Sequence, residues 1–298
     1  MAVEKLEKDW VKYPILHLDL NIEKYDTPDS LDNILDKSLT AWEKLYGAEP
    51  SERSFSLRFA GIIERACKQA GQRVVILVDE YDKPMLQAIG NEELQRQFRN
   101  ALKPFYGALK TMDGCIKFAF LTGVTKFGKV SVFSDLNNLD DISMRKDYVE
   151  LCGVSDRELH DTLDAELHEF ADVRGVTYDK LCAELKECYD GYHFTHNSIG
   201  MYNPFSLLNA FKYKEFGSYW FETGTPTYLV SLLKKHHYDL ERMAHEETDA
   251  QVLNSIDSES TNPIPVIYQS GYLTIKGYDE EFGIYRLGFP NREVEEGF

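Results

Sequence analysis

The chain has 298 residues, 43% hydrophobic and 28% charged, enough for one large domain or two modest ones of ordinary folded composition. A formal net charge of −17 repels phosphate backbones, which disfavours nucleic acid as a partner for the surface at large. An anionic ligand would need its own pocket of Mg2+, lysine or backbone amides. Five cysteines without a C-x-x-C pair read as free thiols of a reducing compartment. No apolar run is long enough to span a bilayer, and the charged start lacks a signal-peptide core. The expectation is a cytoplasmic protein with no membrane partner.

In chain order, Tyr13 to Leu20 reads as a short buried strand. Leu31, Ile34, Leu35, Leu39 and Trp42 recur at helical spacing, predicting a helix over 29–46. A second helix is predicted over 54–70, ending at Gly71. The run Val74-Val75-Ile76-Leu77-Val78-Asp79 suits a parallel strand buried on both faces. A helix over 92–111 follows, with Pro104 as a potential kink. Residues 115–122 form another apolar strand, 123–140 a polar loop, and 148–152 a fourth strand candidate.

Beyond residue 153 the pattern turns helical. Ser155 and Glu158 make a capping box before a helix to about Asp172. Further helices are predicted over 179–188, 204–211 and 226–236. The acidic stretch 238–262 reads as a helix followed by a mobile loop. Residues 272–277 and 283–289 flank Asp279-Glu280-Glu281 as a β-hairpin. The fold class expected is therefore α/β: a partial P-loop-type parallel sheet with flanking helices over 1–153, then a mainly helical lid domain over 154–298 with a C-terminal β-hairpin.

The sharpest chemical signal is the string VVILVDE at 74–80. A carboxylate at the carboxyl end of a buried parallel strand sits where open α/β sheets bind ligands. In this Walker B pattern Asp79 would hold Mg2+ through its water shell, and Glu80 would orient the attacking water. A core strand running into an acidic turn would give the same letters. Thr122, a polar residue ending the next strand, falls where a "sensor" of the γ-phosphate would sit; an ordinary strand-end threonine is the plainer alternative.

Gly123 to Val130 nearly matches the phosphate-loop pattern G-x-x-x-x-G-K-[ST], but Val130 stands where the Mg2+-binding hydroxyl belongs. No convincing helix follows to hold phosphates at its N-terminus. His193, His196 and the pair His236-His237 lack companions at metal spacing, and no nucleophile–His–Asp set stands out.

Several strings together resemble an AAA-ATPase-like family widespread in anaerobic bacteria: WVKYPILHLDL (10–20), VVILVDEYDKPML (74–86), FAFLTGVTKFGKVSVFSDLNNLDDIS (118–143), CYDGYHF (188–194), YNPFSLLNAF (202–211), YWFETGTPTYLV (219–230) and YQSGYLTIKGYD (268–279). The resemblance implies a P-loop ATPase core followed by a helical lid. Asp79 and Glu80 fall on its Walker B positions, with Asp82, Lys83 and Pro84 in the same string, and Thr122 on its sensor-strand end.

The family's Walker A strand and loop lie upstream of the segment matching 10–20, and many members continue into a restriction-endonuclease-like module. The expectation is a truncated ATPase core carrying the Walker B and sensor elements. Complete relatives would use ATP and Mg2+, whereas this chain alone would bind neither tightly and would not hydrolyse ATP. The sheet could close by pairing 116–122 with 148–152. The alternative is a non-hydrolytic scaffold that binds a protein partner through its helical half, for which an exposed aromatic patch at Tyr219, Trp220 and Phe221 would be the sign.

Overall fold

The computed structural model describes residues 3–126, 132–133, 136–222, 233, 245–253 and 262–297. The chain divides into two compact units, 1–139 and 140–298.

The first unit opens with a short helix α1 (Val3–Leu6) and then strand β1 (Ile15–Asp19). Helix α2 (Pro28–Tyr46) starts with proline in its first turn, where a missing N–H costs nothing, and ends at Gly47, whose φ of 90° only glycine adopts easily. Helix α3 (Phe55–Ala70) is capped by Ser54, whose hydroxyl accepts the Leu57 amide at 3.3 Å, and stops at a left-handed Gly71. Strand β2 (Val74–Asp79), the short helix α4 (Lys83–Gln87), helix α5 (Glu92–Thr111) and strand β3 (Ile116–Leu121) complete the series. Helix α5 runs through Pro104 without a break.

The three strands form one parallel sheet in the order β1-β2-β3. Leu16, Leu18, Val74, Ile76 and Val78 are buried on one face, beneath the helices. Phe59 lies between Trp42 and Phe105, stacking on the latter at 4.5 Å, so α2, α3 and α5 share one aromatic core.

The other face differs from the expectation of burial on both sides. It is built from Ile15 and His17 of β1, Val75 and Leu77 of β2, and Phe118 and Phe120 of β3, aligned by the strand register. Ile15 and Phe118 are each 55% exposed. The alternation buried–half-buried along β2 follows from the described helices packing on one side.

A second correction concerns 148–152. Lys146–Leu151 is a 3-10 helix, not a strand, and does not pair with β3. The residues Asp147 and Glu150 interrupt the apolar run, and only Val149 is buried. Among the described residues β3 therefore has a strand partner on one edge only.

In the second unit a two-residue strand β4 (Val154–Ser155) leads into helix α6 (Asp156–Arg174), followed by α7 (Tyr178–Tyr189). Ser155 and Glu158 form the reciprocal capping box. Strand β5 (Met201–Tyr202) pairs antiparallel with β4, ahead of α8 (Pro204–Tyr213) and the short α9 (Tyr219–Glu222). Leu159, Leu167, Phe170, Leu181, Leu185, Tyr189, Leu207 and Phe211 close a core between α6, α7 and α8.

The predicted hairpin is present as β7 (Thr274–Asp279) and β8 (Ile284–Gly288), turning at the positive-φ Gly283. A strand the sequence did not announce, β6 (Glu246–Asp249), pairs with β8, giving a three-stranded antiparallel sheet ordered β6-β8-β7. Its residues, Glu-Glu-Thr-Asp, carry no apolar alternation. Ile264–Gln269 is a short helix. The predicted helix 226–236, apart from position 233, and the segments 238–244 and 254–261 lie outside the described residues.

Candidate functional site

Strand polarity collects the chemistry. In a parallel sheet all carboxyl ends lie on one side, and the connecting turns there are free to carry polar groups. Asp19 and Asp79 are register partners at the ends of β1 and β2, and Thr122 follows directly on β3. The ladder continues past the strands: the Leu20 amide donates to the Asp79 carbonyl at 3.1 Å and the Thr122 amide to the Val78 carbonyl at 2.9 Å. The Thr122 hydroxyl donates to Asp79 Oδ1 at 2.5 Å. Two residues singled out from the sequence, 43 positions apart, are thus in direct contact.

Glu80 sits between them and the turn that follows, at φ 56°. That left-handed conformation disfavours a side chain with a Cβ, and strained backbone of this kind is concentrated at functional sites. Its carboxyl is half-buried, and desolvation first, then the charges of Asp82 and Asp79, push its pKa up. The Lys83 amide closes the turn on the Glu80 carbonyl at 3.0 Å, and its ammonium donates to the Asn21 carbonyl at 2.6 Å and side-chain oxygen at 2.5 Å.

Sequence reasoning quoted Asp82 without a role, and it emerges as the best-connected side chain in the site. It is fully buried, and burial raises its pKa. Its carboxylate accepts the Val124 amide at 3.2 Å, the Thr125 amide at 2.5 Å and the Thr125 hydroxyl at 2.6 Å. The Tyr81 amide donates to the Thr122 carbonyl at 2.9 Å, and the Tyr81 hydroxyl donates to the Thr125 carbonyl at 2.8 Å. A Cβ on Gly123 would lie 2.3 Å from Asp82 Oδ1 and 2.9 Å from a Tyr81 ring carbon, so the position takes glycine only. The available signal was the pairing of Asp three residues after a strand-end Asp with Gly two residues after the next strand.

Among the described residues no group of three or more His, Cys, Asp or Glu is placed to hold a metal ion; the donor set is a pair, Asp79 exposed at its strand end beside Asp19, suited at most to a Mg2+ that keeps most of its waters. It does not by itself fit a triphosphate. The charges acting on neighbouring Glu80 are mainly carboxylates, Asp82, Asp79 and Asp19, with Lys83 the opposing cation. The near-match loop retains Gly123 to Lys126 here, tied to Asp82, whereas Phe127 to Ser131 lie outside the described residues.

The other residues weighed from the sequence belong to the second unit. His193 Nδ1 is 2.9 Å from the Ser198 carbonyl, and His196 stacks on Tyr278; His236 and His237 lie outside the described residues. Tyr219, Trp220 and Phe221 are half-buried, with Trp220 and Phe221 packed against Tyr272.

A parallel α/β unit that gathers acidic residues at the carboxyl ends of its strands is the class defined by this geometry. Residues 1–133 match the model of a family described as Predicted AAA-ATPase, so the first unit is similar to that family. The chain is also similar to an uncharacterized protein in the vnfD 5′ region of Azotobacter chroococcum mcd 1, being 36% identical over 291 residues. That match covers 96% of this chain and 54% of the relative, so the chain spans about half the length of the curated relative. No described helix is long and apolar enough to cross a membrane.

Proposed function

We propose that the first unit is the acidic half of an ATP–Mg2+ site. In this reading Asp79 holds the metal through water, Glu80 orients the attacking water, and Thr122 reads the phosphate end. The observation that carries it is the Thr122–Asp79 hydrogen bond at adjacent strand ends, with the strained, half-buried Glu80 beside it. A structural acidic turn has no need for a residue at an unfavourable φ. Mg2+ would supply charge neutralisation and in-line alignment of the phosphates when bound.

The phosphate-cradling half is a separate element in this reading. No complete G-x-x-x-x-G-K-[ST] string occurs in the 298 residues. A strand–loop–helix added at the free edge of β3 would pair with that strand, cover Phe118 and Phe120, and bring amides and a lysine to the phosphates. Micromolar ATP affinity amounts to about −8 kcal/mol. Each charge-assisted phosphate contact supplies about 1.5–3 kcal/mol, so without several of them binding falls to about millimolar or weaker. The chain alone is accordingly ATPase-related but not competent for turnover.

Mn2+ as a Mg2+ surrogate tests the metal assignment by water-proton relaxation at physiological ionic strength. Wild type should bind weakly, and Asp79→Asn should lower that affinity about tenfold, whereas carboxylates elsewhere keep their background binding. Equal affinity in the two proteins would remove Asp79 from the site.

A further inference from the structure

We propose that Asp82 is a positioning residue that locks the turn after β2 to the turn after β3, and thereby holds Thr122 against Asp79. The inference rests on the metal-site reading for its functional meaning but on geometry alone for the lock itself. The two turns belong to strands far apart in sequence, and the backbone ladder between them extends only as far as Thr122, so it does not align the residues beyond. The connection is made instead by Asp82, with two backbone amides and one hydroxyl of Val124 and Thr125, and by Tyr81, which reaches Thr122 and Thr125 through its own amide and hydroxyl.

Thr122 lies between these anchors. Its carbonyl is held by Tyr81 and its chain continues into the Asp82-bound amides, which keeps its hydroxyl on Asp79 Oδ1 at 2.5 Å, with the Val78 carbonyl a longer second acceptor at 3.4 Å. Gly123 makes the close approach possible, since any Cβ there would collide with the Asp82 carboxylate. A carboxylate with three donors and almost no solvent is an arrangement in which neither partner can be removed cheaply. Asparagine at 82 would present an amide nitrogen toward a backbone N–H and lose one of these bonds.

The test compares amide hydrogen exchange in wild type, Asp82→Asn and the milder Thr125→Val, which loses only the hydroxyl contact and guards against a misfolded first variant. Local opening is read at the Thr125 and Tyr81 amides, and the Val75 amide, bonded to the Pro14 carbonyl at the far end of β2, serves as reference. The lock predicts about tenfold faster exchange at Thr125 and Tyr81 in Asp82→Asn, and a smaller rise in the same direction in Thr125→Val, with Val75 unchanged.

Wild-type protection of Tyr81 in both variants would show that Asp82 merely caps its own loop, and would overturn the proposal. Equal acceleration at Val75 would do so too, because it would mark general destabilisation. Mn2+ affinity, measured on the same proteins, should fall with Tyr81 protection. Absence of Asp79-dependent Mn2+ binding in wild type would sink the metal reading while the exchange result still decides the lock.

Discussion

Glu80 illustrates how one residue can oppose stability in two ways. Its backbone is left-handed, a conformation costing about 1–2 kcal/mol for a residue with a Cβ. Glu80→Gly should therefore raise stability by about 1 kcal/mol in denaturant titration, while removing the carboxylate assigned to the water. The raised pKa acts separately. A carboxyl whose folded pKa lies above its unfolded value favours the fold at low pH, and that contribution is lost as pH rises through the folded pKa. Glu80→Gln should hence be more stable than wild type near pH 7, with the gap closing as pH falls through the raised folded pKa towards the ordinary glutamate value. Melting temperatures across that range would show it, and a gap that widens in acid would contradict the assigned direction. Asp82 shares the sign, its pKa also being raised by burial, but its three donors make substitution there costly where substitution at Glu80 is not.

At the scale of elements, helices were legible where periodicity and caps agreed. Ser155 and Glu158 announced α6 because a capping box is local chemistry, and the structure shows both halves of it. Ser155→Ala should cost about 1 kcal/mol in thermal unfolding of the second unit, with Arg157→Ala, an exposed control on the same helix, nearly neutral. Strands were legible only where apolar. Strand β6 is Glu-Glu-Thr-Asp and owes its conformation to pairing with β8, a tertiary cause that no local pattern carries. Lys146–Leu151 failed in the opposite sense, since an apolar run interrupted by charges suited a strand but packed as a 3-10 turn. The site divides along the same line. Asp79 and Thr122 were readable as strand-end polar residues, whereas Asp82 was not, because its meaning lies in the Val124 and Thr125 donors supplied by a different strand.

Among the described residues of the first unit, helices cover one side of the sheet. Phe59 and Phe105 anchor the covered side, stacked and almost inaccessible to solvent. Phe59→Ala should cost about 3–5 kcal/mol, a substantial fraction of a typical domain's stability. Phe118, on the open face, should tolerate Phe118→Ser with a loss under about 1 kcal/mol in the isolated chain, since more than half of its surface already meets solvent. That contrast between two phenylalanines is what one covered and one open sheet face predict, and equal costs would argue against it. The net charge of −17 adds a background that repels nucleotides, so any tight binding must come from a specific cradle.

The presence or absence of that cradle is measured most directly by calorimetric titration of Mg2+-ATP into the chain. The proposed half-site predicts no saturable binding below about millimolar nucleotide, because in that reading the amide and lysine contacts that hold phosphates belong to a separate element. Micromolar binding would contradict it, and its loss in Lys129→Ala would place the phosphates on the segment from Gly123 to Lys129.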